Sequence, residues 1–583
     1  MARLSYIYTV LVSLILAQIV AAQHAHSMED PPMPAFNSTG TEPMSYSLFP
    51  EYKGYFYLHV IFMVLAFWVL LPIGVMFGIA RSSLHLPTQI LCFITAMFGF
   101  FFAKLYGHTT PHLYAGNSHH SMGWSLFLLL IVQMSVGVLR KVANAVGRMN
   151  TTSSYDQLEN VRLVRSSSSS SSSHPDRHSV SSSADTLHHN GEDQGYTFTK
   201  HEDNEDEEDE DDQAFDCLED DPLNSIDLNI QPKSRWYHRF DFTNRIPYSV
   251  KRVFKTLAHN PLTTTCFRHF HQILGRVFPV LIFVQTLSGL VVYHGVCRSW
   301  AVLGCIAHLI KGGIFFFYGI VTFGRYLGAF ANRGWAWNRV DNGSKFSFEM
   351  IECGLIFTYG ITNTWMEHFG QDSAWTHKDL EHASLAFMWW WCGLVGILVE
   401  SRTLRRLLSR TEDTPLNEPK HEQTQTFSMN PFPALTVLMT GISMGNHHQD
   451  TAYSTQVHYM WGLLLSMAAV FRFVTYVTMY LSPPTNSSPS RPPSEAVGAF
   501  LLIAGSILFM ASNSGTMTWL RRNEVDSMFM MNGCVALSSM TLGYVAFLMI
   551  IKAWAKKRED RKKAQKKSRG VGLDGAAYYM NEA

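Results

Sequence analysis

Apolar residues in this chain gather into runs of roughly 18 to 25, the length that about 30 Å of hydrocarbon requires of a helix. Eleven spans are expected, at residues 55–80, 84–106, 119–140, 264–294, 300–324, 348–366, 381–400, 432–446, 455–480, 496–513 and 529–552. The eighth is short enough to be a re-entrant segment. The expected fold class is therefore all-α: a polytopic membrane protein of about eleven transmembrane helices.

The first 22 residues read as a cleavable signal peptide. Arg3 supplies the positive start, Tyr8 to Val20 the apolar stretch, and Val20-Ala21-Ala22 the small-residue cleavage site. Residue 23 then starts on the luminal or extracellular side, where the sequon Asn37-Ser38-Thr39 could be glycosylated. Counting spans from there puts Arg140, Lys141 and Arg148, then Arg325, Arg333 and Arg339, then Arg402, Arg405, Arg406 and Arg410 on the cytoplasmic side. That agrees with the excess of Lys and Arg found in inner loops. The tail from Lys552 to Arg569, with ten basic residues against two acids, lands inside and could bind anionic lipid.

Polarity also marks the domain limits. An outer arm covers 23–50, a three-helix membrane module 51–140, and a cytoplasmic insert 141–260. The insert holds eight consecutive serines, Ser166 to Ser173, and ten acids among the eleven residues Glu202 to Asp212. It cannot bury enough apolar surface to fold, and disorder is expected over about 150–235. Spans four and five (261–326) complete a first bundle, a six-helix domain fills 345–555, and a basic tail covers 556–583.

Only 16% of the 583 residues are charged, against about 25% in soluble domains, which reinforces the membrane assignment. The zero net charge averages unlike segments, and no nucleic-acid partner is indicated. The eight cysteines form no Cys-x-x-Cys pair, so neither a zinc ribbon nor a thiol redox motif is expected. Cys297 and Cys305 flank an outer turn and could pair. No phosphate loop, nucleophile elbow or paired-carboxylate motif stands out.

Four histidines carry the chemistry. His59, His85, His119 and His271 stand near the starts of spans one to four and are followed four residues later by Met63, Gln89, Gly123 and Gly275. Because successive spans run in opposite directions, His59 and His119 fall in the outer half and His85 and His271 in the inner half. Ser82 or Ser83 is expected to cap span two, with Pro87 in its first turn, and Asn117 or Ser118 to cap span three. Imidazoles from facing helices can fill both axial positions of a haem iron. Gly123 and Gly275 would leave room for a porphyrin plane. His120 competes with His119 for the outer role.

These residues resemble the transmembrane di-haem cytochromes b of the ascorbate-reducing and ferric-reductase type. The likeness runs through His59-Val-Ile-Phe-Met63 with Phe67, Pro72, Gly74 and Arg81, His85-Leu-Pro-Thr-Gln89, His119-His-Ser-Met-Gly123 with Gln133, Gly137 and Arg140, and His271-Gln-Ile-Leu-Gly275-Arg276 with Gly289. It covers five spans of eleven, and the long insert departs from the family pattern. It implies two b-type haems, one held by His59 and His119 and the other by His85 and His271, with a small reductant such as ascorbate as an electron donor. The whole chain also resembles the fungal Ytp-like multispan membrane proteins.

A second polar cluster lies on the outer side of the C-terminal half. Asn363, Glu367 and His368 end span six, and His377, Glu381 and His382 lead into span seven. His447, His448 and Asp450 precede span nine, which His458 enters. His368, His382, His447, His448 and His458 are candidate ligands for iron, copper or zinc, or members of a proton relay. His308, Lys311 and Glu352 stand at membrane depth, where ionisable groups are costly and default to functional hypotheses. Trp389, Trp390 and Trp391 read as lipid-facing or belt residues. Three functions are compatible: electron transfer through two haems from a cytosolic donor to an outer acceptor such as a metal ion; metal-ion or proton-coupled transport at the histidine cluster; and a non-catalytic scaffold.

Overall fold

A computed structural model describes Asp30, Met33 and residues 44–139, 261–298, 301–339, 346–366, 374–409, 429–447 and 449–580. The signal peptide, the sequon, the insert 141–260, His368 and His448 lie outside the described residues. By compactness the chain divides into a larger unit, Met1–Leu126 with Pro279–Arg569, and a smaller one, Phe127–Phe278 with Gly570–Ala583.

Among the described residues the structure is helical, without strands. The helices are α1 (Lys53–Ile79), α2 (His85–Thr109), α3 (His119–Leu139), α4 (Pro261–His294), α5 (Ala301–Tyr326), α6 (Phe348–Met366), α7 (His377–Glu400), α8 (Arg402–Ser409), α9 (Phe432–Gly445), α10 (Ala452–Leu481), α11 (Pro493–Ala511), α12 (Ser514–Arg522) and α13 (Ser527–Met580). Nine of them, α1 to α5, α7, α10, α11 and α13, are long and apolar enough to cross a membrane. The other two expected spans are helical but different in kind. With 14 residues, α9 reaches only about 21 Å. Two acids, Glu349 and Glu352, stand in the first two turns of α6. The basic tail continues α13 as helix to Met580.

Local chemistry explains several details. Pro72 has no N–H to offer the carbonyl of Trp68 four residues earlier. A π-helical turn, Leu65–Leu70, adjoins this point of α1, and the Tyr544 hydroxyl from α13 donates to Trp68 O instead. The Trp68 indole N–H donates to Thr286 Oγ1 on α4 at 3.2 Å. Thr376 and Asp379 form a capping box at the start of α7. The expected cap of α2 is corrected: Leu84 is the N-cap without a side-chain bond, and the Ser82 and Ser83 hydroxyls donate to Glu559 on α13 instead. Cys297 and Cys305 form a disulfide.

Without a hydrophobic force between helices in lipid, close approach at small residues drives association. A Cβ at Gly360 would stand 2.6 Å from Trp390 Cα, and one at Gly393 2.6 Å from Phe357 Cα, so α6 and α7 meet backbone to backbone. At the crossing of α9 and α10, a Cβ on Gly462 would stand 2.7 Å from Gly445 Cα. The largest core joins α5, α10 and α11, where fully buried Trp461 stacks on Phe509 at 4.2 Å beside Leu465 and Leu508. Trp389 is a further correction. Its ring packs against that core and its N–H donates to Thr440 Oγ1 at 2.7 Å, because it shares one stripe of α7 with His382, Ala386 and Gly393. Trp391, on another face, is exposed.

Candidate functional site

In the larger unit, α1 and α2 pack side by side and each secures a histidine by a neighbouring carbonyl. His59 Nδ1 donates to Gly99 O at 2.9 Å, and His85 Nδ1 donates to Gly74 O at 2.7 Å. A carbonyl can only accept, so both rings carry hydrogen on Nδ1, and in the neutral imidazole the lone pair then falls on Nε2. That is the tautomer an Nε2 metal ligand needs, with its outer hydrogen bond already made. The His85 ring also lies against Gly78, where a Cβ would stand 3.1 Å from its Nδ1.

His119 is partly buried and His120 is exposed, so the ring that turns inward is His119. Its Nδ1 lies 2.9 Å from Ser288 Oγ, whose own hydrogen goes to Gln285 O at 2.8 Å. Gln285 Nε2 donates to His119 O and also lies 3.0 Å from Nδ1. A Cβ on Gly289 would come within 3.0 Å of His119 Cε1. His59 and His119 both belong to the larger unit, within electrostatic reach of one another.

In the smaller unit, Gln133 Nε2 donates to His271 O at 2.9 Å, and a Cβ on Gly137 would stand 3.4 Å from His271 Cε1. The two arrangements match because α3 and α4 carry one spacing, His-x3-Gly-x9-Gln-x3-Gly: His119, Gly123, Gln133 and Gly137, then His271, Gly275, Gln285 and Gly289. The glutamine of each helix serves the histidine carbonyl of the other, and the last glycine bares backbone to that ring. Gly123 and Gly275 face these glutamine amides, at 3.2 and 3.3 Å from an added Cβ. Glutamine amides thus occupy the space expected for a porphyrin plane beside Gly123 and Gly275, and Gln285 is a site residue signalled only by this repeat.

A second site is a cavity of about 350 Å³ in the larger unit, between α5, α7, α9, α10 and α12. His308, Lys311, His382, His447 and His458 line it, with Trp389, Asp450 and Arg521. The rings of His382 and His447 lie 5.1 Å apart, and those of His308 and His458 5.9 Å. His458 Nδ1 donates to Ser454 O at 2.8 Å, and His447 pairs with Glu381. So three of the five candidate metal ligands meet at one cavity, joined by His308. Among the described residues no three His, Cys, Asp or Glu side chains are grouped to hold a metal ion.

Asp30 of the outer arm reaches this region. Its carboxylate accepts the backbone N–H groups of Ala452 and Tyr453 at 2.9 and 2.8 Å and lies 3.8 Å from Arg521. Burial opposes ionisation, but the two N–H donors and the Arg521 charge outweigh it and hold the carboxyl below its usual range. Its stabilisation is therefore present above the ordinary carboxylate value and lost as pH falls through the depressed one. Asp30→Asn is expected to lower stability at neutral pH by about 1 kcal/mol, the worth of a helix cap. Thermal melts of the two proteins should converge in acid.

At the opposite ends of these helices lies a buried ionic cluster the sequence reading largely overlooked. Arg325 on α5 approaches Glu349 and Glu352 on α6 at 3.5 and 3.8 Å, and Arg472 on α10 approaches Glu352 and Glu495 at 3.6 and 3.1 Å. The Trp337 ring lies 4.6 Å from one guanidinium and 5.0 Å from the other. An arginine inside an apolar run, as Arg472 is, was the available signal.

Comparison with known proteins fits this architecture. Residues 281–553 match the family described as "Protein YTP1-like, C-terminal", and residues 41–143 match a domain of unknown function, DUF2427. An uncharacterized membrane protein of Schizosaccharomyces pombe is 33% identical over 560 residues, covering 90% of this chain and 99% of its own length. An uncharacterized membrane protein of Saccharomyces cerevisiae is 30% identical, covering 85% of this chain and 82% of its own length. Protein YTP1 of the same yeast is 26% identical over 42% of this chain and 46% of its own length. No solved structure matches. A multispan helical chain that aligns almost end to end with such relatives is a member of the YTP1-like family of membrane proteins.

Proposed function

We propose that the N-terminal helices form a transmembrane electron conduit, with one b-type haem held by His59 and His119 of the larger unit; the cytochrome resemblance implies a second haem for which His85 and His271 are the candidate ligands. The observation that carries this reading is the anchoring of His59 and His85 through Nδ1 by backbone carbonyls, the orientation in which an imidazole serves as an Nε2 metal ligand. The fit is supported further by Gly289 and Gly137, which leave the His119 and His271 rings flush against a neighbouring backbone.

When bound, haem would supply one-electron chemistry at an iron with two imidazole ligands. The chain's own residues orient and insulate. Gly99 and Gly74 carbonyls hold two rings in one tautomer. Gln285 and Ser288 steady His119, and Gln133 steadies the His271 backbone. Apolar helices around these groups keep water away. Electrons would pass from a cytosolic donor to an outer acceptor such as a metal ion.

The test is haem content of purified variants. His59→Ala and His119→Ala are each expected to remove about half of the haem, one site of two. His120→Ala should keep all of it. Full haem in His119→Ala, or equal loss in His120→Ala, contradicts the assignment.

A further inference from the structure

The ionic cluster of α5, α6, α10 and α11 does not balance. Among the described residues Glu349, Glu352 and Glu495 pair only with Arg325 and Arg472, and none of the five side chains is more than 7% exposed. One negative charge is left over among side chains shielded from bulk water, and an uncompensated buried charge is costly. The other titratable groups around the cluster do not repair the count. Tyr318 and Tyr476 are neutral phenols, Cys353 is a buried thiol, and Glu400 on α7, which accepts from Ser347 Oγ at 2.6 Å, would add further negative charge.

A second, independent feature lies beside Glu495. A small cavity of about 20 Å³ is lined by Tyr318, Thr322, Arg472 and Glu495. The Thr322 hydroxyl, on a residue 1% exposed, has no hydrogen-bond partner among the described residues. Glu495 lies 3.1 Å from Arg472 Nε, but neither of its carboxylate oxygens has a partner at hydrogen-bonding angles. The cavity is large enough for one water, and hydroxyl, phenol and carboxyl groups are the polar partners such a water needs.

We propose that this cluster is a proton-binding site, in which one exchangeable proton on a carboxyl brings three acids and two arginines to neutrality and reaches Glu495 through a water in the adjoining cavity. The geometry gives the site a route as well as a place. Along α5, His308, Lys311, Phe315, Tyr318, Thr322 and Arg325 recur at helical spacing on one face, running about 26 Å from the histidine-lined cavity to the cluster. Phe315, packed in the core with Trp461 and Leu465, separates the two ends. Polar sites at both ends with an apolar plug between them suit a carrier that exposes its proton site alternately rather than an open wire. The C-terminal helices would thus bind and move protons whether or not the N-terminal helices hold haem.

The test is infrared difference spectroscopy of the full-length protein in detergent, with light and heavy water. The expected result is a protonated-carboxyl C=O stretching band at neutral pH that shifts in heavy water, because the proton exchanges with solvent. Glu349→Gln, Glu352→Gln or Glu495→Gln each removes the surplus acid of the cluster, so the band should lose intensity in every one. Glutamine keeps the side-chain size, and the wild-type measurement needs no variant at all. Absence of the band in the wild type, its failure to shift in heavy water, or its undiminished intensity in Glu495→Gln would overturn the proposal. Haem content should be unchanged in all three variants, which keeps this test separate from that of the electron conduit.

Discussion

Replacing Arg472 by leucine is expected to lower stability by about 3–5 kcal/mol, the cost of breaking a buried ion pair by removing one partner. Arg472 serves Glu352 and Glu495, and its Nη2 also donates to the Tyr318 hydroxyl at 3.3 Å. Without it, among the described residues the three buried acids have Arg325 as their one remaining guanidinium partner. Leucine fills much of the space, so the loss would report charge rather than a void. Thermal melting in detergent should show an early transition. Adding Glu495→Gln to Arg472→Leu should recover part of the loss, because one unpaired acid disappears. An unchanged melting temperature in the single variant would mean that the cluster is not an interdependent unit.

Gly462→Leu is expected to be comparably damaging, for steric reasons. The α9–α10 crossing brings main chain against main chain, and even the first atom of a side chain would stand 2.7 Å from Gly445 Cα. Overpacking usually costs about 1–3 kcal/mol when flexible side chains can yield. Here the neighbour is backbone, so the loss should lie at or above the upper end of that range. Gly462→Ala should fall between wild type and leucine. The fraction of monodisperse protein recovered from membranes, with its melting temperature, checks this order. Equal behaviour of all three proteins would show that the crossing is looser than described.

Fold class was readable from the sequence because bilayer thickness imposes helix length directly, and nine of the expected spans are long apolar helices among the described residues. What the runs could not convey is which face of each helix turns inward. Trp389 and Trp391 look alike in an aromatic triplet, yet only Trp389 shares a stripe with His382 and Gly393 and so lies against the core. Ser82 and Ser83 fit a capping rule, but their hydroxyls meet Glu559, more than 470 residues along the chain, a contact no local pattern reveals. The four histidines stand out by their alternating positions, and in the structure backbone carbonyls hold His59 and His85. Gln285 was hidden until the equal spacing of α3 and α4 was set side by side. Histidines of the outer cluster were visible as residue types, and three of them do meet at one cavity, but the geometry that would make a metal centre of them is a property of helix rotation.

The central claim is that imidazoles on the first four helices grip porphyrin iron. A reduced-minus-oxidised absorption spectrum of the purified full-length protein tests it most directly. The expected result is a b-type haem band corresponding to about two haems per chain. A colourless protein, recovered folded from membranes grown with ample haem, would contradict it.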